Sequence, residues 1–483
     1  MKDVALRALD LVAGRGTDYA DVRAIESRDR EITTKNGKPG HVASAEGEGL
    51  GVRVLAGGSW GFAATDDLSP AGIEAAAGLA LEIARSGAAA RKHGVVLAPE
   101  DRFEAVWTSP MEIDPFSIAI DRQLGELLAV DSVIRGVAGI SLAETSMHFT
   151  RSRQVFVSTL GSVIDQTRCM SGAGFSALSY KDGEIQKRSY PNSFGGQYQL
   201  KGYELVNELK LMEKAGPIAE EAVALHSAPQ CPEGEFDLIL HSSQLALQIH
   251  ESIGHPIELD RVLGSEANYA GMSFLTLDQL RRLRYGSPIV NVVCDARLEH
   301  GPGLGTFAFD DEGVPAHRTP IITNGLFTGY MTSRETAAAV GDARSNGCMR
   351  ADGWARIPLI RMTNVSLEPG EQSLDEVFDA RGIYMETNRS WSIDDKRYNF
   401  QFGCEIAWEI HNGRRVRMLK NPSYSGISTE FWNACVAIAD RRHWTLWGVP
   451  NCGKGQPEQV MGTGHGASPS RFRKIKVGSA YAG

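Results

Sequence analysis

Residues 250–255 read HESIGH, two histidines five apart with a glutamate beside the first. Two imidazoles and a nearby carboxylate are the groups a hydrolase uses to hold a metal ion and take a proton from water. On an ideal helix, positions five apart lie about 140° around the axis, too far for His250 and His255 to share one ion. Two relaxations would bring them together. A π-bulge widens the turn until i and i+5 nearly overlap, and such bulges recur at functional sites. Alternatively the helix unwinds at Gly254, and His255, biased away from helical geometry by Pro256, swings back toward His250. Glu251 is the candidate base. The bland alternative is a pair of polar histidines at a helix end, so a third ligand must decide.

The candidate third ligand lies far down the chain, in GVPNCGKGQPEQVMGTG (448–464). A thiolate at Cys452 would bind zinc well because the metal stabilises the deprotonated sulfur; the competing role is that of a buried apolar cysteine. The same stretch fits GxxxxGK from Gly448 to Lys454, but Gly455 stands where Ser or Thr should hold magnesium. Pro450 also removes an amide from any phosphate cradle, and no convincing helix follows. A nucleotide site is therefore disfavoured. The runs GEGLG and GPGLG lack the dinucleotide-binding spacing and read as turns. Glu405 and Glu409 fall on one face of a strand pattern, where cross-strand salt bridges are a better reading than a second metal site or an amine anchor. Asp310 and Asp311 read as a turn or loop.

The elements that must position these groups follow from pattern. A chain of 483 residues exceeds one ordinary hydrophobic core and favours two or three domains. Apolar residues at 42% and charged residues at 23% fit a folded globular protein. Residues 2–14 read as a helix, 20–64 as extended with repeated turns, and a second helix starts at Ser69 with Pro70 in its first turn and runs to Arg85. Helices at 117–134 and 204–227, with strands and turns over 136–198, repeat that layout and suggest an internal duplication. A Pro-containing break at APQCPEGE (228–235) separates this half from the strand-like FDLILHS. SPIVNVVCD, GLFTGYMTS, ARIPLIRMTNVSLE and FGCEIAWEIHNG then read as strands. The stretch SSQLALQIHESIGH is a short helix, with Gly254 and Pro256 marking its end. The expected class is α+β: an N-terminal α/β domain over 1–228 and a C-terminal β-rich domain over 229–483 that carries the metal-site helix.

A formal charge of −9 and a pI near 5.8 oppose general affinity for nucleic acid. The opening MKDVALRALDLVAGRG carries Asp3 and Asp10, which would spoil a signal peptide, and no apolar run reaches the roughly 18 residues of a membrane span. Seven dispersed cysteines without a CxxC pair suit a reducing cytoplasm rather than a disulfide framework.

HESIGH, followed by NCGKGQPEQVMGTG and SPSRFRKIKV and preceded by GEGLGVRVLAGGSWGFAATDDL, resembles the TldD/PmbA family of metallopeptidases, also labelled modulators of DNA gyrase. The resemblance spans the chain, and its full motif matches the metal-bearing, TldD-type member. It implies one zinc ion per active chain held by His250, His255 and Cys452, with Glu251 as acid/base. It also implies an unfolded or short peptide as substrate, and a dimer enclosing a cavity, formed with an identical chain or with a metal-free sister subunit. Zinc in such a site activates water, and Glu251 would take its proton and pass it to the leaving amine. His465, Lys454 and the amides of a 462–466 turn are candidate oxyanion donors. The Gly-rich strand 47–58 is a candidate edge for pairing with an extended peptide. The alternatives from other classes are a metal-free structural partner subunit and a nucleotide-dependent regulator.

Overall fold

The computed structural model describes residues 1–91 and 93–479. Strands β1 (Tyr19–Lys35) and β2 (Lys38–Ala56) are joined by Asn36-Gly37, with φ of 48° and 77°, a two-residue turn whose twist suits a hairpin. Gly57-Gly58, also at positive φ, leads into β3 (Ser59–Thr65). Beyond β4 (Glu104–Thr108), a second meander runs through β5 (Leu142–Ser158), β6 (Val163–Lys181) and β7 (Glu184–Tyr190), with Asp182-Gly183 turning the last pair. Each meander lies between helices. The first has α1 (Lys2–Val12) before it and α2 (Pro70–Ala90) after it; the second has α3 (Ile120–Gly136) before it, then β8 (Gln197–Gln199), α4 (Glu204–Leu209) and α5 (Leu211–Ala224) after it.

The strand order β3-β2-β1-β5-β6-β4 joins the two meanders through an antiparallel β1–β5 pair. Among the described strands of this sheet only β4 and β6 run parallel. The layout repeats as read from the sequence, but the α/β label does not suit this half. Tight two-residue turns cannot make the long crossover that parallel neighbours need, so the sheet is antiparallel. The expected single helix over 204–227 is also divided, because Lys210 takes a left-handed φ of 50° between α4 and α5. The α2 start is as expected, with the Ser69 hydroxyl accepting from the Gly72 amide at 3.2 Å.

Alternation along the strands separates the two faces of this sheet. Ala20, Val22 and Ala24 of β1, with Val155 and Val157 of β5, pack against α1 and α2, while Met147 and Phe149 pack against α3 and α5. Intervening residues face the second half of the chain. Arg53 bonds Asp21 at 2.7 Å and Glu312 at 3.3 Å, and Gln154 donates to Asp311 at 2.6 Å. Trp354 lies against β2, where a side chain at Gly49 would meet its ring. GEGLG is therefore a strand and not a turn: its glycines admit an indole, and Leu50–Ala56 pairs on both sides, with β1 and β3. On β7, Arg188 reaches Glu386 at 2.7 Å and Glu405 at 3.3 Å, a second tie between the halves.

The second half is β-rich. Strand β9 (Gly234–Leu240) pairs with 381–393 in parallel and with 470–479 antiparallel. The latter pairs with 422–427, which pairs with 399–411, which returns to 381–393, so the ring of pairings closes. Closure leaves these strands no common open edge. A large apolar core, from Leu238 and Leu245 to Trp432 and Phe472, fills this half and includes Cys452. All seven cysteines are buried free thiols. Among the described residues no helix is long and apolar enough to cross a membrane.

Candidate metal centre

Helix α6 (Ser242–Ile249) follows β9 directly, and His241 caps it, with Nδ1 accepting from the Ser243 amide at 3.2 Å. All eight of its residues are buried, so its polar side chains must find partners inside the protein. Gln244 donates to the Tyr424 hydroxyl at 3.0 Å, which donates to Gln248 Oε1 at 2.9 Å. Trp432 Nε1 donates to Ser252 Oγ at 2.9 Å. Such a buried network fixes the rotation of the helix, and with it the histidines that follow.

Residues His250–Gly254 form a π-helical turn in which the His255 amide donates to the His250 carbonyl. His255 keeps right-handed helical angles, φ −64° and ψ −41°, despite the proline after it. The wide turn, not an unwound helix end, therefore brings the imidazoles together, with ring centroids 4.9 Å apart. Helical backbone continues through His255–Ile257, so Gly254 and Pro256 do not end it. Gly254 itself is helical, and what demands a glycine there is Met362, whose Sδ lies 2.1 Å from where a Cβ would sit.

Cys452 comes from the opposite direction, on a strand spanning Thr445–Lys454 that pairs with Gln459–Ala467. The register slips between Val449 and Cys452, across Pro450, which can donate no ladder bond. Cys452 Sγ lies 3.8 Å from His255 Nε2, and one ligand atom from each of His250, His255 and Cys452 falls within 4.8 Å of the others. A tetrahedral zinc site places nitrogen and sulfur about 3.6 Å apart, so this donor set could hold a metal ion.

The electrostatics agree with that capacity. Burial holds His250 below the ordinary imidazole range and His255 well below it, which keeps both neutral. Burial pushes the Cys452 thiol upward, but Arg361 and His255 outweigh it and hold the thiol below its usual value. A metal needs these protonation states.

Each histidine is also oriented from behind. His465 Nδ1 lies 3.0 Å from the Val365 carbonyl and must donate to it, so its Nε2 accepts from His250 Nδ1 at 2.8 Å. The relay leaves the Nε2 lone pair of His250 free. His255 Nδ1 donates to Glu258 Oε2 at 3.0 Å, which leaves its Nε2 facing Cys452. Buried Lys454 stands 3.4 Å from Glu258 and 2.7 Å from Asp260, so it offsets their charge. Partners of this kind fix ligand tautomers in metal sites.

These contacts revise several sequence readings. His465 and Lys454 are engaged with other partners, and residues 462–466 lie in a strand rather than a turn. The GxxxxGK run is likewise a strand, with its lysine bound to carboxylates, and does not form a phosphate loop. Glu409 pairs across strands with Arg417 at 2.8 Å, and Glu405 accepts from Ser189 and Arg188, as the ion-pair reading expects. Asp310 caps a turn through the Glu312 and Val314 amides, and Asp311 binds Gln154 and the Ala351 amide. Glu251 is buried and meets the Arg397 guanidinium, a partner that no local pattern announced. Glu258 could have been found three residues after His255 on a helical turn; His465 was singled out near Cys452 but for a different role, and Arg361 and Arg397 have no neighbour in sequence to betray them.

Residues 233–479 match the family model described as the PmbA/TldA metallopeptidase C-terminal domain, and 20–84 match its domain 1. The chain belongs to the PmbA/TldD metallopeptidase family. This PmbA/TldD chain is 29% identical over 415 residues to a metalloprotease of Methanocaldococcus jannaschii, covering 85% of this chain and 87% of that one. It is 25% identical to a zinc metalloprotease TldD homolog of Saccharolobus solfataricus, over 96% and 97% of the two chains. Its fold is shared with a crystal structure of TldE from Thermococcus kodakarensis, at a TM-score of 0.71, 14% identity and 99% coverage of both chains. The chain is a metallopeptidase.

Proposed function

We propose that the protein is a zinc-dependent peptidase that hydrolyses unfolded or short peptides, with His250, His255 and Cys452 as the metal ligands and Glu251 as the base. The convergence of two neutral imidazoles and a thiol of depressed pKa carries this reading. The S. solfataricus relative named a zinc metalloprotease supports the choice of ion. When bound, zinc would supply Lewis acidity and make water a usable nucleophile near neutral pH.

The protein's own residues do the rest. His465 and Glu258 hold the two imidazoles in the tautomers that present Nε2. Glu251 takes a proton from the attacking water and delivers it to the departing amine. Its carboxylate and the three ligand side chains are nearly closed to solvent, which excludes bulk water. Family resemblance extends the proposal to a dimer, with a second copy or a metal-free sister chain.

Replacing Glu251 with Gln tests the chemistry. The variant is expected to retain zinc and its fold and to lose about 10²–10⁴-fold in cleavage of an unstructured peptide. Undiminished cleavage would remove Glu251 from the mechanism.

A further inference from the structure

We propose that Arg397 is a further catalytic residue, the cation that meets the negative oxygen formed when water attacks the peptide carbonyl. This rests on the peptidase reading above. Arg397 occupies the turn Asp394–Arg397, between the strands 381–393 and 399–411 of the closed ring. Its φ of +65° is left-handed, where Gly or Asn is the ordinary occupant. The surroundings enforce that angle. The Arg397 amide donates to the Asp394 carbonyl at 2.8 Å, the Asp394 carboxylate accepts from the Tyr398 and Asn399 amides at 2.7 and 3.2 Å, and Ser428 Oγ donates to the Arg397 carbonyl at 2.9 Å. Strain imposed on one residue by so many contacts points to its side chain.

That side chain is only 16% exposed and reaches the catalytic carboxylate, with Nη1 donating to Glu251 Oε2. Its Nε–H is buried with no partner. A donor with nothing to bind, on a cation already touching the base, suits an oxygen that carries charge only during the reaction. The neighbouring candidates are engaged elsewhere. His465 Nε2 accepts from His250, Lys454 lies between Glu258 and Asp260, and Arg361, whose Nε is likewise unpartnered, directs both Nη atoms to the carbonyls of Cys452 and Gln459, so the guanidinium that meets Glu251 is that of Arg397.

In the step this implies, the water oxygen bonds to the carbonyl carbon while the π pair moves onto the carbonyl oxygen and Glu251 takes the proton. Arg397 donates hydrogen bonds to that oxygen and transfers nothing. The pair then returns, the C–N bond breaks, and the proton on Glu251 passes to the amine.

Arg397→Asn removes the guanidinium while suiting the left-handed position, so any loss of stability reports the broken Glu251 ion pair and not backbone strain. With zinc content and melting temperature verified, kcat is expected to fall about 10²–10³-fold with KM changed by less than about threefold. The affinity of a phosphinic peptide, which mimics the tetrahedral species, should fall by a similar factor in calorimetry, while that of the amine-side product peptide, which carries no oxygen at the reacting position, is retained. Arg397→Lys should recover part of both losses. A folded, zinc-loaded Arg397→Asn protein with unchanged phosphinate affinity, or with equal losses for phosphinate and product, would overturn the proposal. The binding arm needs no turnover, so it judges Arg397 even if Glu251→Gln proves fully active and the assignment of the base fails.

Discussion

His465→Leu isolates the relay behind the first histidine. Leucine roughly conserves volume but can neither accept from His250 Nδ1, now 2.8 Å from His465 Nε2, nor donate to the Val365 carbonyl 3.0 Å away. Thr463 Oγ, at 3.5 Å from His250 Nδ1, is too distant to replace it well. Two buried polar groups are thus stranded, each at a cost of about 1–3 kcal/mol, partly offset by about 1.5–3 kcal/mol from burying leucine. The metal-free variant should be less stable than its parent by about 1–3 kcal/mol, read from urea unfolding. Loss of such an outer partner weakens metal binding about 10- to 100-fold, or roughly 1.4–2.7 kcal/mol, measured by competition with a chromophoric chelator. Zinc affinity within about threefold of the parent would refute the idea that His465 sets the tautomer and orientation of His250.

Gly254→Ala should disturb the π turn, since the new methyl meets Met362 Sδ; a loss of about 1–3 kcal/mol and weaker zinc binding are expected, and adding Met362→Ala should restore zinc binding but not stability, because a buried methionine is truncated. Acid should destabilise the protein through His241, whose pKa is lowered by burial and by Arg415 and Arg188 against the pull of Glu386. An imidazole depressed in the folded state leaves stability constant above its unfolded value of about 6.5 and reduces it as pH falls below that. His241→Asn, which keeps a good helix cap, should therefore flatten the urea midpoint between pH 7.5 and 5.5; an unchanged slope would exclude His241 as a source.

The proposed ligand pair was legible because its residues are local: HESIGH offers two candidate ligands and a candidate base within one turn, and the spacing itself called for a π-bulge or an unwound end. Choosing between those needed tertiary packing, since Met362 and the buried face of α6 hold the wide turn. Cys452 was singled out by chemistry and resemblance, but the register slip that brings it beside His255 depends on strand pairing. The supporting shell was less visible, because His465, Arg361 and Arg397 act across gaps of many residues and their types suggest other work. In the fold, Asn36-Gly37 and Asp182-Gly183 carried the antiparallel signal in plain view, whereas the glycines of GEGLG looked like a turn because the indole they accommodate arrives from Trp354.

The central claim is that His250, His255 and Cys452 together hold one metal ion. Elemental analysis of the purified chain beside Cys452→Ser, both shown to be folded by circular dichroism, tests it most directly. The account predicts close to one zinc per parent chain and little in the variant, whereas equal zinc in the two proteins, or none in the parent after zinc is supplied, would contradict it.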